Sequence, residues 1–241
     1  MWHKFTSLMS PKGFAKKTAP WMPWLGSVAF VSLSYGLFAG LLGVPADYQQ
    51  GDAFRVIYVH VPCAMLSLSL YFAMVVCSFS TYMWRIKVAD MLAEQCAFIG
   101  ATFTFLALTT GAIWGKPMWG AWWIWDGRLT SELVLFFLYG GIIGLRSAIN
   151  DTYKASRACA LLSMVGVINL PIIHYSVTWW HTLHQKSTLL GMHQPTMAHE
   201  MLWPLLASMA GFSLLAAWLL IQNVRIEIHK SISARKRGGV S

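Results

Sequence analysis

"VIYVHVPCAMLSLSLYFAMVVCSFSTYMW", residues Val56–Trp84, contains no Asp, Glu, Lys or Arg. An α-helix needs about 20 consecutive apolar residues to cross the roughly 30 Å hydrocarbon layer of a bilayer, and this run is long enough. It reads as a membrane helix. Five more segments meet the same test, near Trp21–Gly43, Ala93–Ile113, Leu129–Leu145, Ala158–His174 and Met201–Gln222. Composition agrees, since 56% of the 241 residues are hydrophobic and 11% charged, where a soluble domain carries about 25% charged residues. The expected fold is an all-α integral membrane protein, a bundle of six transmembrane helices forming one domain over 1–241. No soluble domain, internal repeat or low-complexity tract interrupts it.

The formal charge of +9 raises nucleic acid as a partner, but the basic residues are dispersed in short runs between apolar segments, where membrane topology explains them. One set of linkers holds most of them: the N-terminus, Arg85–Lys87, Arg146–Arg157 and the tail "SARKRGG". The other set has Arg55, Lys116, Arg128 and Lys186. Positive residues are retained on the cytoplasmic side, so both termini are expected there, with outward loops at Pro45–Arg55, at the tryptophan-rich stretch and at Tyr175–Glu200. Trp21–Gly43 is too long for a signal-peptide core and lacks a small-x-small cleavage site, which predicts an uncleaved first helix. Cys63, Cys77, Cys96 and Cys159 form no C-x-x-C or C-x-x-C-H pattern and read as small apolar residues.

One outward loop is "WGKPMWGAWWIWDGR", Trp114–Arg128, in which five of the chain's 13 tryptophans fall. Proline is tolerated in a first helical turn, so a short surface helix is expected to begin at Pro117. Trp119, Trp122, Trp123 and Asp126 would share one face, at i, i+3, i+4 and i+7. Trp114 and Trp125 complete the group. Indoles suit the membrane interface, being apolar with one polar N–H, and their flat faces equally suit a planar aromatic ligand, with Arg128 neutralising a ligand carboxylate. Pattern alone leaves anchor and ligand platform both open. Lys116 and Arg55 are weaker candidates for the same charge.

Histidines 174, 181, 184, 193 and 199 lie at or beyond the outer end of the fifth segment, and His60 lies at the outer end of the second. In a six-helix bundle these ends share one face, so His60 can face His181 or His184 across the tryptophan loop. Imidazole is an axial ligand of many hemes, while a His181/His184 pair with Met192 and Met197 nearby leaves zinc or copper open. Any single histidine here could instead be an ordinary hydrogen-bonded side chain. His174, following Pro171, reads as the most structural of them, since the carbonyl that the proline frees one turn earlier needs some local donor or water. Glu132 opens the fourth segment, and an acid so placed usually faces the bundle interior with a partner; Arg128 is the expected one.

Three stretches, "WGKPMWGAWWIWDGRLTSELVLFFLYGG", "ADYQQGDAFRVIYVHVP" and "GVINLPIIHYSVTWWHTLHQ", resemble the CcmC family, the heme-handling membrane proteins of the cytochrome c maturation system. The likeness runs from Trp21 to about Gln185. It implies a periplasmic WWD segment, 114–128, that holds heme b between two axial histidines in a bacterial inner-membrane protein. The ligands it implies are His60, in "YVHVP", and His184, in "TLHQ". It maps the aromatic platform onto Trp114, Trp119, Trp122, Trp123 and Trp125, ending at Asp126, and 175–200 becomes the histidine-bearing loop. Arg128 and Arg55 fall in matching motifs, and propionate pairing is the physical role they suit. The implied work is delivery of heme to the heme chaperone CcmE, alongside the ABC-transporter subunits CcmA and CcmB and the small subunit CcmD, with no catalysis of its own. "WWIWDG" also resembles the WWD signature of oligosaccharyltransferases, but those chains carry a large soluble domain. No H-E-x-x-H metalloprotease motif is present. A metal-ion permease would need polar residues inside several segments, and Glu132 is nearly alone there.

Overall fold

The computed structural model describes residues 9–180, 184 and 197–238. Ser10 opens helix α1 (Pro11–Thr18), its hydroxyl accepting the N–H of Gly13 at 3.2 Å. A 3-10 turn, Ala19–Trp21, leads into α2 (Met22–Phe38), which runs out through a π turn at Ala39–Gly43. A second 3-10 turn, Asp52–Val56, starts α3 (Ile57–Trp84). Then follow α4 (Lys87–Trp119), α5 (Gly127–Ala148), α6 (Thr152–Gly166), α7 (Asn169–Trp179) and α8 (His199–Gly238). Arg85 stops α3 by taking a left-handed conformation, φ 55°, with its N–H on the Thr81 carbonyl. Asp151 starts α6 by accepting the N–H groups of Tyr153 and Lys154, the usual work of an N-cap carboxylate.

Six stretches are long and apolar enough to cross a membrane: Pro11–Gly43, Asp52–Trp84, Lys87–Trp119, Gly127–Ala148, Thr152–Trp179 and His199–Ala234. The chain is an all-α, multi-pass membrane protein. Each apolar segment read from the sequence lies inside one of these stretches, which outrun it because helical hydrogen bonding continues into the polar flanks.

The fifth stretch is two helices, α6 and α7, broken after Gly166. Pro171 falls in the first turn of α7, where its missing N–H costs little. The carbonyl it frees, that of Val167, accepts the Leu170 N–H at 3.0 Å. His174 is exposed, with its ring edge-on to Tyr175 at 4.8 Å. The local donor that the freed carbonyl needs is thus a backbone amide, because a tightened turn closes the gap.

The main core gathers Leu66, Tyr71 and Met74 of α3, Cys96 and Phe103 of α4, Leu135 and Tyr139 of α5, Cys159 of α6 and Ile173 of α7. Helix α2 lies apart from it, against α8. A methyl group at Gly211 would come within 2.7 Å of the Leu33 backbone nitrogen, so the glycine sets the close approach of these two helices, as small residues do between membrane helices. Trp218 pins the pair by donating its indole N–H to the Met22 carbonyl at 3.1 Å. Large apolar side chains point outward along the bundle, among them Phe30, Phe38, Phe72, Phe105, Phe137 and Val165, as lipid contact requires. Among the described cysteines none is in a disulfide.

Antiparallel packing gives the bundle two unlike ends. One collects the starts of α3, α5 and α8 with the ends of α4 and α7, and holds the tryptophan stretch. The other collects α1, the ends of α3 and α5, the starts of α4 and α6 and the tail of α8, and holds most of the basic residues.

Candidate functional site

The surface helix expected from Pro117 is not formed. Helix α4 instead continues through Pro117 to Trp119, stopping where Gly120 takes φ 76° and sends its N–H to the Lys116 carbonyl at 3.0 Å. The Lys116 ammonium reinforces this stop by donating to the Gly120 carbonyl at 3.0 Å. Asp126 then caps α5, its Oδ1 accepting the Leu129 N–H at 2.8 Å. With a left-handed stop at one side and a cap at the other, residues 121–126 are a non-helical connection. A periodicity of i, i+3, i+4 in a stretch this short does not outweigh the two end signals.

The tryptophans consequently divide. Trp114 and Trp119 stand on the last turns of α4, Trp122 and Trp125 are exposed on the connection, and Trp123 meets Trp125 edge-on with ring centroids 5.4 Å apart. The indole N–H of Trp123 is buried and has no acceptor among the described residues. Trp114 donates its N–H to Gln50 Oε1 at 3.0 Å.

His60 lies one turn into α3. Its Nδ1 is 3.1 Å from Thr110 Oγ1, and that hydroxyl already gives its hydrogen to the Leu106 carbonyl at 2.6 Å. A hydroxyl has one hydrogen to give, so Thr110 accepts from His60, which puts the proton on Nδ1 and the lone pair on Nε2, and the Ala107 carbonyl also lies within hydrogen-bond reach of the ring. Trp114 meets this ring edge-on at 5.7 Å, and a methyl group at Gly111 would stand 3.1 Å from His60 Cε1. The ring is therefore confined on two sides.

His184 is held by the same logic from a different element. Its Nδ1 lies 3.0 Å from Asp126 Oδ2. A carboxylate accepts only, so Nδ1 is again the protonated nitrogen and the ring's lone pair is on Nε2. Trp119 meets this ring edge-on at 4.8 Å. Burial pulls the His184 pKa below its ordinary 6.5, aided by the Arg128 charge and opposed by Asp126, so the ring is neutral at neutral pH. Asp126 thus joins two tasks, since one oxygen starts α5 and the other orients an imidazole.

Arg128, on the first turn of α5, lies within electrostatic reach of both histidines and of Glu132. The expected Arg128–Glu132 ion pair is absent among the described residues. Glu132 turns to α3 instead, where Ser67 donates to its Oε1 at 2.6 Å, and Tyr139 donates to the Ser67 carbonyl at 2.8 Å. Arg128 keeps its guanidinium without an ion-pair partner among the described residues, as an incoming carboxylate would need. Arg55 is otherwise engaged, donating to Asp52 Oδ1 at 2.9 Å and to the Leu41 carbonyl at 3.1 Å. His181, His193 and Met192 lie outside the described residues.

Thr110 and Gln50 were not singled out from sequence. Neither lies in a pattern that betrays it, because each acts on a ring more than 45 residues away in the chain. Trp180 is a third such residue: a methyl group at Gly127 would stand 3.2 Å from its ring, which brings the end of α7 against the start of α5.

The family model described as heme exporter protein C, CcmC, matches residues 4–238. The heme exporter protein C of Escherichia coli strain K12 is 47% identical over 226 residues, covering 93% of this chain and 91% of that protein. That of Haemophilus influenzae is 46% identical over 213 residues, covering 88% and 87%. That of Paracoccus denitrificans is 37% identical over 222 residues, covering 92% of each. With six helical spans and matches along almost its whole length, the chain belongs to the heme exporter protein C family, CcmC.

Proposed function

We propose that this protein binds heme b at its tryptophan-rich end, with Nε2 of His60 and of His184 as the two axial ligands, and hands it on during cytochrome c maturation. The observation that carries the reading is the matched state of the two histidines. Each has Nδ1–H held by an oxygen acceptor on another element, which orients the ring and puts its lone pair on Nε2, the second-shell arrangement that ligating imidazoles use. A porphyrin needs one imidazole on each face, and ligands from separate elements suit that.

Around them Trp114, Trp119, Trp122, Trp123 and Trp125 supply the aromatic platform, and Asp126 orients His184. Arg128 suits a propionate. Arg55 is a second propionate partner only if it leaves Asp52. Residues 114–128 and 175–200 act as the presenting segments. The relatives' name points to heme, and family membership supports delivery to CcmE beside CcmA, CcmB and CcmD. The charge asymmetry of the linkers supports a tryptophan end in the periplasm and both termini in the cytoplasm of a bacterial inner membrane.

The test is the visible spectrum of detergent-purified protein from heme-replete cells. A Soret band with low-spin features should appear in the wild type and be lost in both His60→Ala and His184→Ala. Wild type that carries zinc or copper but no heme would sink the reading. Loss in His181→Ala with retention in His184→Ala would move the second ligand.

A further inference from the structure

At the basic end, Arg157 of α6 lies over the Tyr82 ring of α3, with Cζ 4.8 Å from the centroid, and 5.8 Å from the Tyr153 centroid. Its guanidinium donates to both phenols, Nη1 to Tyr153 Oη at 3.2 Å and Nη2 to Tyr82 Oη at 3.1 Å. Arg85 lies 5.5 Å from the same Tyr153 centroid. Two guanidinium groups are thus gathered about one ring, and neither has an ion-pair partner among the described residues. The nearby carboxylates are committed elsewhere: Asp151 caps α6, while Asp90 and Glu94 hold Arg146. Two unpaired cations repel each other, and the arrangement asks for an anion between or beside them.

The available donors suit a phosphate. Each phenol accepts from Arg157 and keeps its own O–H to give, so two guanidinium groups and two hydroxyls face outward together. The apolar surroundings point to the source of that phosphate. Phe79, Met83 and Trp84, on the last turns of α3, are exposed, and the site sits where the helix ends leave the apolar layer. We propose that Arg85, Arg157, Tyr82 and Tyr153 form a binding site for the headgroup phosphate of an anionic phospholipid, with acyl chains along the exposed end of α3. Basic side chains with aromatic rings at a membrane interface are the general chemistry of such recognition.

The full-length protein is purified in detergent, and its binding of phosphatidylglycerol and of phosphatidylcholine is measured by native mass spectrometry, with inorganic phosphate as a third probe. Phosphatidylglycerol should be retained in preference, and Arg85→Gln/Arg157→Gln should weaken it by about fivefold per arginine. Tyr82→Phe/Tyr153→Phe keeps the rings and should weaken it less, through loss of the hydroxyls alone. Lys12→Gln/Lys16→Gln removes the same charge from the same end and should leave the preference intact. Equal retention of the two lipids overturns the proposal. So does an equal loss in the lysine variant, which would mean diffuse attraction, and so does binding of inorganic phosphate as strong as that of the lipid.

Discussion

Two polar clusters at opposite ends of the bundle, one around Arg146 and one around His60 and His184, use their hydrogen bonds differently. At the basic end Arg146 gives Nη1 and Nη2 to the two oxygens of Asp90, at 3.0 and 2.8 Å, and Nη2 also reaches Glu94 at 3.2 Å, while Ser156 donates to Asp90 at 2.6 Å. All four side chains spend their hydrogen bonds on one another. At the tryptophan end each histidine is oriented through Nδ1 by an oxygen from elsewhere in the chain, and Arg128 has no ion pair among the described residues. The same chemistry that ties α4, α5 and α6 together around Arg146 orients single imidazole rings at the other end.

Asp126→Asn should have the largest effect. Asparagine still caps α5, so the helix remains, but His184 loses the carboxylate that holds its tautomer. Heme affinity in a spectrophotometric titration should fall about 10- to 100-fold. An unchanged affinity would dismiss Asp126 as the orienting group. Arg146→Gln should do the reverse, lowering stability by about 2 kcal/mol or more through two uncompensated acids, read as thermal unfolding in detergent. If that variant also altered the heme titration, the division between the ends would be broken.

Thr110→Val is the next step down. It keeps the shape of the side chain and removes the acceptor for His60 Nδ1–H, with an expected loss of about tenfold in heme affinity; Thr110→Ser should recover most of it. The smallest expected change is with pH near neutrality. The His184 pKa lies below 6.5, so protons compete for Nε2 only at more acid pH. The low-spin spectrum should decline as pH falls, with its midpoint below that of an ordinary histidine. A midpoint at or above 6.5 would show that burial does not keep this ring neutral.

Several particulars separate what was readable in the chain from what was not. Val56–Trp84 announced its helix by composition, and the other spans did likewise. The tryptophan stretch announced an unusual surface but not its shape, because Gly120 and Asp126 divide it into a helix end and a connection. The aromatic periodicity that suggested a surface helix was real in the sequence and unused in the fold. Glu132 was correctly read as an inward acid, yet its partner is Ser67 across a helix interface, not the arginine one turn away. Pro171 announced a freed carbonyl in need of a local donor, which is the Leu170 amide, but not the break between α6 and α7.

By itself, then, the sequence determined the number of spans, the sidedness of the basic residues and the gathering of tryptophans and histidines towards one end. Those properties depend on local composition and on the length of helix a bilayer demands, and both can be summed along the chain. Only the tertiary structure decided that His60 is turned by Thr110 and His184 by Asp126. Each pairing joins residues 50 or more positions apart, through one hydrogen bond whose direction depends on what the acceptor's own hydrogen is already doing. No periodicity encodes that, because it arises from which helix ends meet when the bundle closes.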